Sequence, residues 1–298
     1  MTVNSQRKLV SMDQHIISHN HTPKITVVTV VFNDVKNLEK TMLSVLNQTY
    51  TNIEYIVIDG GSNDGTIEII KKYTDRLGFW VSEKDKGMFD AMNKGASHAT
   101  GEWIQILNSG DYLMSNTIIE ELFSKEHSNV DIVYGGFIGN FSGQAVECPP
   151  ALDVSLKAYQ GMQVCHSAFF ARREIVTKFP YNLLYHHSAD GEFVSRCVFE
   201  KYRFEKVDKI IFRVGTLGNS NTNWLSCRME NWKIARHYFP GIRTEWFHGY
   251  RLVREVMFRI FKYVTSLIGL YQLARYIYHR KLKHKILLLP KNIKPFIE

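Results

Sequence analysis

Four polar side chains follow apolar stretches of the sequence at points where the chain turns. They are Asn33 after KITVVTVVF, Asp59 at the end of IEYIVID, Glu83 after FWVS and Asp111 after WIQILNSG. Oxygen atoms at such points can accept hydrogen bonds from a polar ligand or bind a hard divalent cation. Whether they act together depends on the elements that carry them.

Asp111 lies in ILNSGDYL, where an apolar segment stops abruptly. Mg²⁺ or Mn²⁺ commonly takes one or two protein carboxylates and completes its shell with phosphate oxygens and water. Asp111 is therefore a candidate metal ligand, with Asn108 as a weak neutral ligand or as a partner of Asp111. The same residues also fit an ordinary turn, and this stretch alone leaves both interpretations open.

The stretch DGGSNDG, residues 59–65, combines glycines with side chains that cap helices. Its acidic residues argue against a phosphate cradle, and Asp59 is better placed to accept hydrogen bonds from a base or a ribose. The stretch matches neither the dinucleotide-binding G-x-G-x-x-G pattern nor the Walker loop. A strand-to-helix turn with capping residues is the alternative.

The stretch EKDKGMFDAMNKG begins a predicted helix with an unusually polar entry. Asp90 and Asn93 lie three residues apart, with Lys86 and Lys94 near them, so acceptors, donors and cations can reach a sugar or a diphosphate. A solvated helix face fits the same pattern.

The stretch SADGEFVSR also begins a predicted helix. Asp190 is a candidate general base for an acceptor hydroxyl. A helix cap with an ion pair between Glu192 and Arg196 is the structural alternative, and the spacing does not decide between them.

Apolar periodicity predicts an α/β fold that carries these residues. Buried β-branched runs alternate with helical patterns such as NLEKTMLSVLNQ. This alternation implies right-handed βαβ units in a mostly parallel sheet. Ligands bind beyond the carboxyl ends of such strands, where the four polar side chains fall, so we expect one shared crevice.

Basic residues are concentrated near the C-terminus of this 298-residue chain, whose net charge is +8. Residues 246–298 contain eleven Lys and Arg against two Glu, which leaves the remainder nearly neutral and argues against nucleic-acid binding. Residues 258–290 mix apolar and basic side chains without a run long enough to span a bilayer. They predict a basic amphipathic helix on a membrane surface, with packing on the main domain or on a second subunit as the alternative.

The ends of the chain and its cysteines complete the outline. Residues 1–22 are polar and lack the apolar stretch of a secretory signal. The four cysteines show no C-x-x-C pair, which argues against zinc and fits reduced thiols in a cytosol. We predict an N-terminal extension (1–22), a catalytic domain (23–222) and a helical, basic C-terminal region (223–298).

Taken together, these stretches resemble glycosyltransferase family 2, the inverting sugar transferases of GT-A fold, particularly the bacterial members similar to colanic-acid and O-antigen enzymes. The matching stretches run in family order over about residues 24–214. The resemblance implies a GT-A catalytic domain that moves one hexosyl unit from a nucleoside diphosphate sugar, UDP-sugar first, to a lipid-linked saccharide. It also implies a cytoplasmic protein on the inner face of the bacterial membrane, working in O-antigen, capsule or exopolysaccharide synthesis.

The resemblance implies a role for each matching residue. Asp111 would bind Mg²⁺ or Mn²⁺, and Asp190 would be the catalytic base. By position, the donor-binding residues are Phe32, Asn33, Asp59, Ser62, Asp64, Lys86, Gly87, Asp90, Asn93 and Asn108. Acceptor or diphosphate contacts are expected from His166, His186 and Arg196.

Three positions depart from the family pattern. Asn108 and Gly110 reduce the acidic motif to one carboxylate, Ala189 stands where Glu is common, and Met92 stands in place of a frequent Arg. The missing Q-x-x-R-W signature favours the addition of a single sugar.

Other functions remain open beside sugar transfer. A nucleotidyltransferase would need a Gly-rich basic loop after the first strand, which VVFNDVKN does not provide. The reduced acidic motif leaves room for an inactive sugar-nucleotide-binding or scaffold subunit of a polysaccharide assembly complex. Homo-oligomer formation is also left open.

Overall fold

A computed structural model of the protein describes residues 22–141, 144–215 and 223–267. Its strands are β1 (Ile25–Val31), β2 (Ile53–Asp59), β3 (Phe79–Ser82), β4 (Trp103–Asn108), β5 (Tyr112–Leu113), β6 (Ile132–Phe141), β7 (Gln144–Cys148), β8 (Phe169–Arg172) and β9 (Phe204–Arg213). Its helices are α1 (Leu38–Leu46), α2 (Thr66–Lys72), α3 (Met88–His98), α4 (Ile118–Phe123), α5 (Arg173–Lys178), α6 (Ala189–Phe199), α7 (Trp224–Tyr238) and α8 (Ile242–Leu267). The predicted extension up to residue 21 and the tail beyond residue 267 lie outside the described residues.

All of these strands join one mixed sheet in the order β3-β2-β1-β4-β8-β6-β9-β5, with β7 paired to β6. Strands β1 to β4 pair in parallel, as the alternation of strands and helices predicts. Beyond β4 the sheet is mixed, because β8 runs antiparallel to both β4 and β6 while β9 runs parallel to β6.

Strand β1 shows why its sequence is a continuous run of β-branched residues. Every residue of β1 is buried, because β2 and β4 flank it and cores cover both faces. Val28 packs with Met92 of α3 on one face, and Val27 packs with Met42 of α1 on the other. This is the burial expected of a central strand in a sheet covered by helices.

The parallel register brings the carboxyl ends of the first strands to one edge. Val31 pairs with Asp59, Asp59 pairs with Ser82, and Val30 pairs with Asn108. The turns after these strands therefore start side by side at one edge of the sheet, and the shared crevice expected there stays a prediction.

The sequence patterns fail where the elements are short or irregular. The two-residue strand β5 and the six-residue helix α4 carry no readable period. Strand β7 was not predicted either.

Helices α6, α7 and α8 pack against one another in that order. Tyr238 of α7 donates a hydrogen bond to Glu192 of α6 at 2.5 Å, and Arg228 of α7 pairs with Glu255 of α8 at 2.7 Å. Among the described helices, none combines the length and the apolar content needed to cross a membrane.

Near the amino ends of the parallel strands, Glu54 of β2 connects three chain segments through hydrogen bonds. Its carboxylate accepts hydrogen bonds from Lys24 Nζ at 3.1 Å, Thr26 Oγ1 at 2.6 Å, and the backbone N–H and Oγ1 of Thr100 at 2.7 and 2.6 Å. Burial alone would raise the pKa of Glu54, but these hydrogen bonds outweigh burial and lower the pKa to about 2.

Replacing Glu54 by Gln is expected to lower the free energy of unfolding at neutral pH by about 1–2 kcal/mol, because a charged acceptor of several hydrogen bonds is lost. The folded-state pKa is lowered, so this stabilisation is present above the unfolded pKa near 4.5 and is lost as the pH falls towards 2. Urea unfolding at pH 7 and about pH 3 should show a difference that shrinks at low pH. Glu68→Gln, at an exposed position of α2, is the control; a difference that stays equal at both pH values would contradict the role of Glu54.

Candidate active site

The turn after β2 is built around the fully buried carboxylate of Asp59. Its Oδ2 accepts hydrogen bonds from the backbone N–H groups of Gly61 and Ser62 at 3.2 and 2.9 Å, and from Ser82 Oγ at 2.5 Å. Ser62 Oγ donates to its Oδ1. Asp59 thus organises the turn, whereas its direct contact with a base stays a prediction.

The turn after β1 is fastened to the turn after β2. Asn33 has a left-handed backbone with φ 49°, its N–H donates to Ser62 Oγ at 2.7 Å, and its side-chain oxygen accepts the N–H of Asn63 at 2.9 Å. Asp64 accepts a hydrogen bond from the backbone of Val35 at 3.1 Å. The structure therefore brings the predicted residues Asn33, Ser62 and Asp64 together.

Phe32 forms an exposed aromatic surface beside these turns. Its side chain is 64% exposed although it directly follows a buried strand. A Cβ atom at Gly60 would lie 3.3 Å from a Phe32 ring carbon and 3.1 Å from Asp85 Oδ2. Because Gly60 has no side chain, the space between the Phe32 ring and the Asp85 carboxylate stays open. An exposed ring next to hydrogen-bond acceptors suits a planar base. Asp85 was not predicted; its signal in the sequence is its position just after the strand-end Glu83.

The start of α3 presents backbone and charge to the same side. Gly87 caps the helix with φ 124°, and no heavy atom lies within 4 Å of the position a Cβ would take there. The N–H of Lys86 donates to Asp90 at 3.0 Å. Lys94 pairs with Asp85 and, at 2.9 Å, with Glu83. These contacts keep several charges of the EKDKGMFDAMNKG stretch in one cluster.

Asn93 faces the interior of the protein. Its amide donates to the carbonyl oxygen of Tyr181 at 2.9 Å and accepts the N–H of Tyr181 at 2.8 Å. Asn93 therefore ties α3 to the segment that leads to α6. A contact from Asn93 to a donor sugar stays a prediction and would use its remaining N–H.

Asp111 lies in the turn after β4 and is only 9% exposed. Ser167 Oγ donates to its Oδ2 at 3.3 Å. Burial raises the pKa of Asp111 to about 6, opposed by the charge of His166 and by hydrogen bonds from Gly215 N–H and Ser167. A buried carboxylate with so few donors favours a nearby positive charge.

The backbone of this turn is fixed by Thr41 and by a glycine crossing. Thr41 Oγ1 accepts the N–H of Gly110 at 2.9 Å and donates to the carbonyl oxygen of Asp111 at 2.7 Å. Gly110 has φ 91°, and a Cβ at Gly215 would lie 1.7 Å from its carbonyl oxygen. The turn after β4 thus packs directly on the chain that leaves β9.

His166 connects the turn after β4 with the start of α6. Its Nδ1 lies 3.2 Å from Asp190 Oδ2, and its Nε2 lies 3.0 Å from Asn108 Nδ2. In this arrangement Nδ1–H donates to Asp190 and Nε2 accepts from Asn108. Burial alone would lower the pKa of His166, but the hydrogen bond and charge of Asp190, together with Asp111, outweigh burial and raise the pKa. The imidazole of His166 thus connects two other predicted residues, Asn108 and Asp190.

Asn108 offers a second oxygen in the Asp111 turn. Its Oδ1 is buried and has no hydrogen-bond partner, a state that normally calls for a ligand, ion or water. An amide oxygen and one carboxylate suit Mg²⁺ or Mn²⁺ if phosphate oxygens and water complete the shell. No group of three or more His, Cys, Asp or Glu that could hold a metal occurs within residues 22–141, 144–215 and 223–267.

Two predicted residues, Arg196 and His186, are not connected to this cluster by a described hydrogen bond or ion pair. Arg196 donates to the carbonyl oxygen of Pro180 at 3.0 Å and pairs with the buried Glu192 at 3.2 Å, so the structural pair expected as an alternative is present. The side chain of His186 is exposed. In the described part of the chain, neither side chain has a hydrogen bond or ion pair to Asp190 or Asp111.

Sequence comparisons identify proteins similar to this chain. A family model described as Glycosyl transferase family 2 matches residues 26–178. A PGL/p-HBAD biosynthesis glycosyltransferase from Mycobacterium bovis is 32% identical over 181 residues, which cover 59% of this chain and 70% of the relative. A cholesterol galactosyltransferase from Borreliella burgdorferi is 35% identical over 120 residues, which cover 39% of this chain and 33% of the relative.

Solved structures show the same architecture. S. aureus TarS 1-349 in complex with UDP has a TM-score of 0.56 at 16% identity, covering 75% of this chain and 74% of that chain. The mannosyltransferase PcManGT from Pyrobaculum calidifontis, in complex with GDP-Man and Mn²⁺, has a TM-score of 0.58 at 14% identity, covering 85% of this chain and 82% of that chain. The chain therefore belongs to glycosyl transferase family 2 and has the GT-A fold.

Proposed function

We propose that the protein is an inverting, metal-dependent glycosyltransferase that moves one sugar from a UDP-sugar to a lipid-linked saccharide in bacterial surface-polysaccharide synthesis. Family membership supports sugar transfer. The observation that carries the proposed reaction is the connection of Asp190, His166 and Asn108 next to the buried Asp111. It gathers a carboxylate base and a metal-ligand candidate at one strand edge.

The donor side of the proposal rests on the turns after β1 and β2. The exposed Phe32 ring, Asp85 and the open N-terminus of α3 offer stacking, hydrogen-bond acceptors and backbone N–H groups to a nucleoside diphosphate. TarS has been solved with UDP and PcManGT with GDP-Man and Mn²⁺. By analogy, the donor lies across these strand ends with UDP as the first choice of nucleotide.

In the proposed reaction, Asp190 accepts the proton of an acceptor hydroxyl as that oxygen attacks the anomeric carbon. The new glycosidic bond forms as the bond from carbon to diphosphate oxygen breaks, and one displacement inverts the configuration. His166 Nδ1–H holds Oδ2 of Asp190, and Gly191 N–H holds Oδ1 at 2.8 Å, which fixes the direction of the carboxylate. Asp111 and Asn108 Oδ1 would hold the metal, which when bound neutralises charge on the departing diphosphate.

The lipid-linked acceptor and the membrane location rest on α8. Residues 256–264 are all exposed, and they include Ile260 and Phe261 next to Arg259 and Lys262. An exposed apolar helix segment with cations suits the headgroup region of an anionic bilayer. The protein is thus proposed to act at the cytoplasmic face of the membrane, where lipid-linked saccharides are available.

Donor turnover tests the reaction. Purified protein with Mn²⁺ or Mg²⁺ is expected to release nucleotide from one of UDP-GlcNAc, UDP-glucose, UDP-galactose, GDP-mannose or a dTDP-sugar, with and without bacterial lipid extract. Asp111→Ala and Asp190→Asn should each lower turnover by about 100-fold or more. Asp190→Asn should still bind the donor, because Asp190 lies on α6 whereas most of the predicted donor-binding residues lie on the β1, β2 and α3 segments.

Glu174→Gln serves as the control for turnover, since Glu174 is exposed on α5 and is not among the predicted site residues. The contradicting outcome is donor binding without turnover in every condition, equal in wild type and Asp190→Asn. It would identify the protein as a sugar-nucleotide-binding subunit in place of an enzyme.

Vesicle flotation tests the membrane contact. The protein is expected to float with vesicles of phosphatidylglycerol and phosphatidylethanolamine but not with phosphatidylcholine alone, because each basic residue near an anionic surface contributes about 1 kcal/mol. Replacing Ile260 and Phe261 by Glu should weaken binding by about tenfold or more, since apolar burial is lost. Leu156→Glu, at another exposed apolar residue, should bind like wild type. Equal flotation of the double variant, or a change in oligomeric state in its place, would rule out this surface as a membrane contact.

A further inference from the structure

Helix α7 holds the segment that precedes the base. The carboxylate of Glu230 accepts two backbone hydrogen bonds, from His186 N–H to Oε1 at 3.0 Å and from His187 N–H to Oε2 at 2.9 Å. Both N–H groups come just before α6 begins at Ala189. One side chain therefore fixes two consecutive peptide groups that no strand or helix secures.

The neighbouring residue of α7 extends this hold to the helix cap. Asn231 Nδ2 donates to Oγ of Ser188, the N-cap of α6, at 3.0 Å. A Cβ atom at Gly161 or Gly191 would lie 3.2 or 3.5 Å from Asn231 Oδ1, so the amide is closely surrounded. Glu230 and Asn231 thus secure residues 186–188 as one unit.

The base follows this unit directly. Asp190 is the second residue of α6 and contacts His166 at 3.2 Å. A displacement of residues 186–188 by about 1 Å would carry the first turn of α6 with it and break that contact, and misplacements of this size can cost about 100-fold in rate. Farther along, Tyr238 of α7 bonds to Glu192. Helix α7 therefore fixes α6 on both sides of the base.

We propose that Glu230 is a positioning residue for Asp190: it directs the base through the backbone of residues 186 and 187 without contacting substrate. This inference rests on the proposed function, in which Asp190 is the base. Glu230 lies on a different element from the donor-binding turns, so it governs the transfer step and leaves donor binding unchanged.

Kinetics of three variants measure this role. Glu230→Ala removes both acceptors and is expected to lower kcat by about 10- to 100-fold, with the KM and Kd for the donor within about twofold of wild type. Glu230→Gln keeps one acceptor oxygen and should fall between Glu230→Ala and wild type. Met229→Ala, at the exposed neighbouring residue of α7, should behave like wild type. A loss shared by all three variants, or confined to donor binding, would overturn the proposal.

A double variant separates positioning from general support of the fold. If Glu230 acts through Asp190, then Glu230→Ala should cause no further loss of residual turnover in the Asp190→Asn background. Losses that multiply would show an independent structural effect and would overturn the proposal.

A spectroscopic readout does not depend on turnover. The NMR signal of the His166 Nδ1 proton, identified by its loss in His166→Gln, should shift in Glu230→Ala and stay in place in Met229→Ala. An unchanged signal in Glu230→Ala would overturn the positioning role even in an active enzyme. A shifted signal in a protein that turns over no donor would uphold the positioning and reject the proposed function.

Discussion

Parallel pairing of β1 with β2 and β4 determines where the candidate active site of this protein lies. The pairing aligns Val31, Asp59 and Asn108 at one edge, so the turns that follow begin as neighbours. The backbone N–H and C=O groups of each turn then need hydrogen-bond partners, and buried polar side chains supply them. Asp59 supplies acceptors for one turn, and Thr41 bridges the Asp111 turn. Without the common edge, these residues would be unrelated loop positions.

The two halves of the site differ in how completely their polar groups are paired. Around Asp59, every carboxylate oxygen has a donor, and the turn is finished without a ligand. Around Asp111, an amide oxygen of Asn108 is buried and unpaired, and burial raises the pKa of the carboxyl. An unpaired buried oxygen costs about 1–3 kcal/mol. The Asp59 carboxylate is therefore occupied in holding its own turn, whereas the Asn108 oxygen still has a bonding position for a ligand.

The sequence predicted those features of the structure that depend on neighbouring residues in the chain. The stretch IEYIVID forms β2 from its first residue to its last, because its central residues, Tyr55 to Ile58, are apolar and buried inside the sheet. The strand-end positions of Asn33, Asp59 and Asp111 followed from the same logic. Short elements such as β5 lacked enough residues to show a period.

Contacts between distant segments were beyond the sequence. Asp190 and Asn108 were predicted separately, but their connection through His166 depends on how β8 enters the sheet, which no spacing encodes. Glu230 on α7 carried no motif at all, and Asp85 was hidden among neighbouring charges. Glu192 and Arg196 form the ion pair that was the structural alternative for this stretch, while the catalytic role of Asp190 stays a prediction.

The crossing of Gly215 over Gly110 has a consequence for how such a protein can diversify. With only 1.7 Å between a Cβ at position 215 and the Gly110 carbonyl oxygen, steric overlap closes this position to all other amino acids regardless of the sugar being transferred. The exposed ring of Phe32 meets no such barrier. During evolution, position 32 can therefore vary with the substrate, whereas position 215 has to remain glycine.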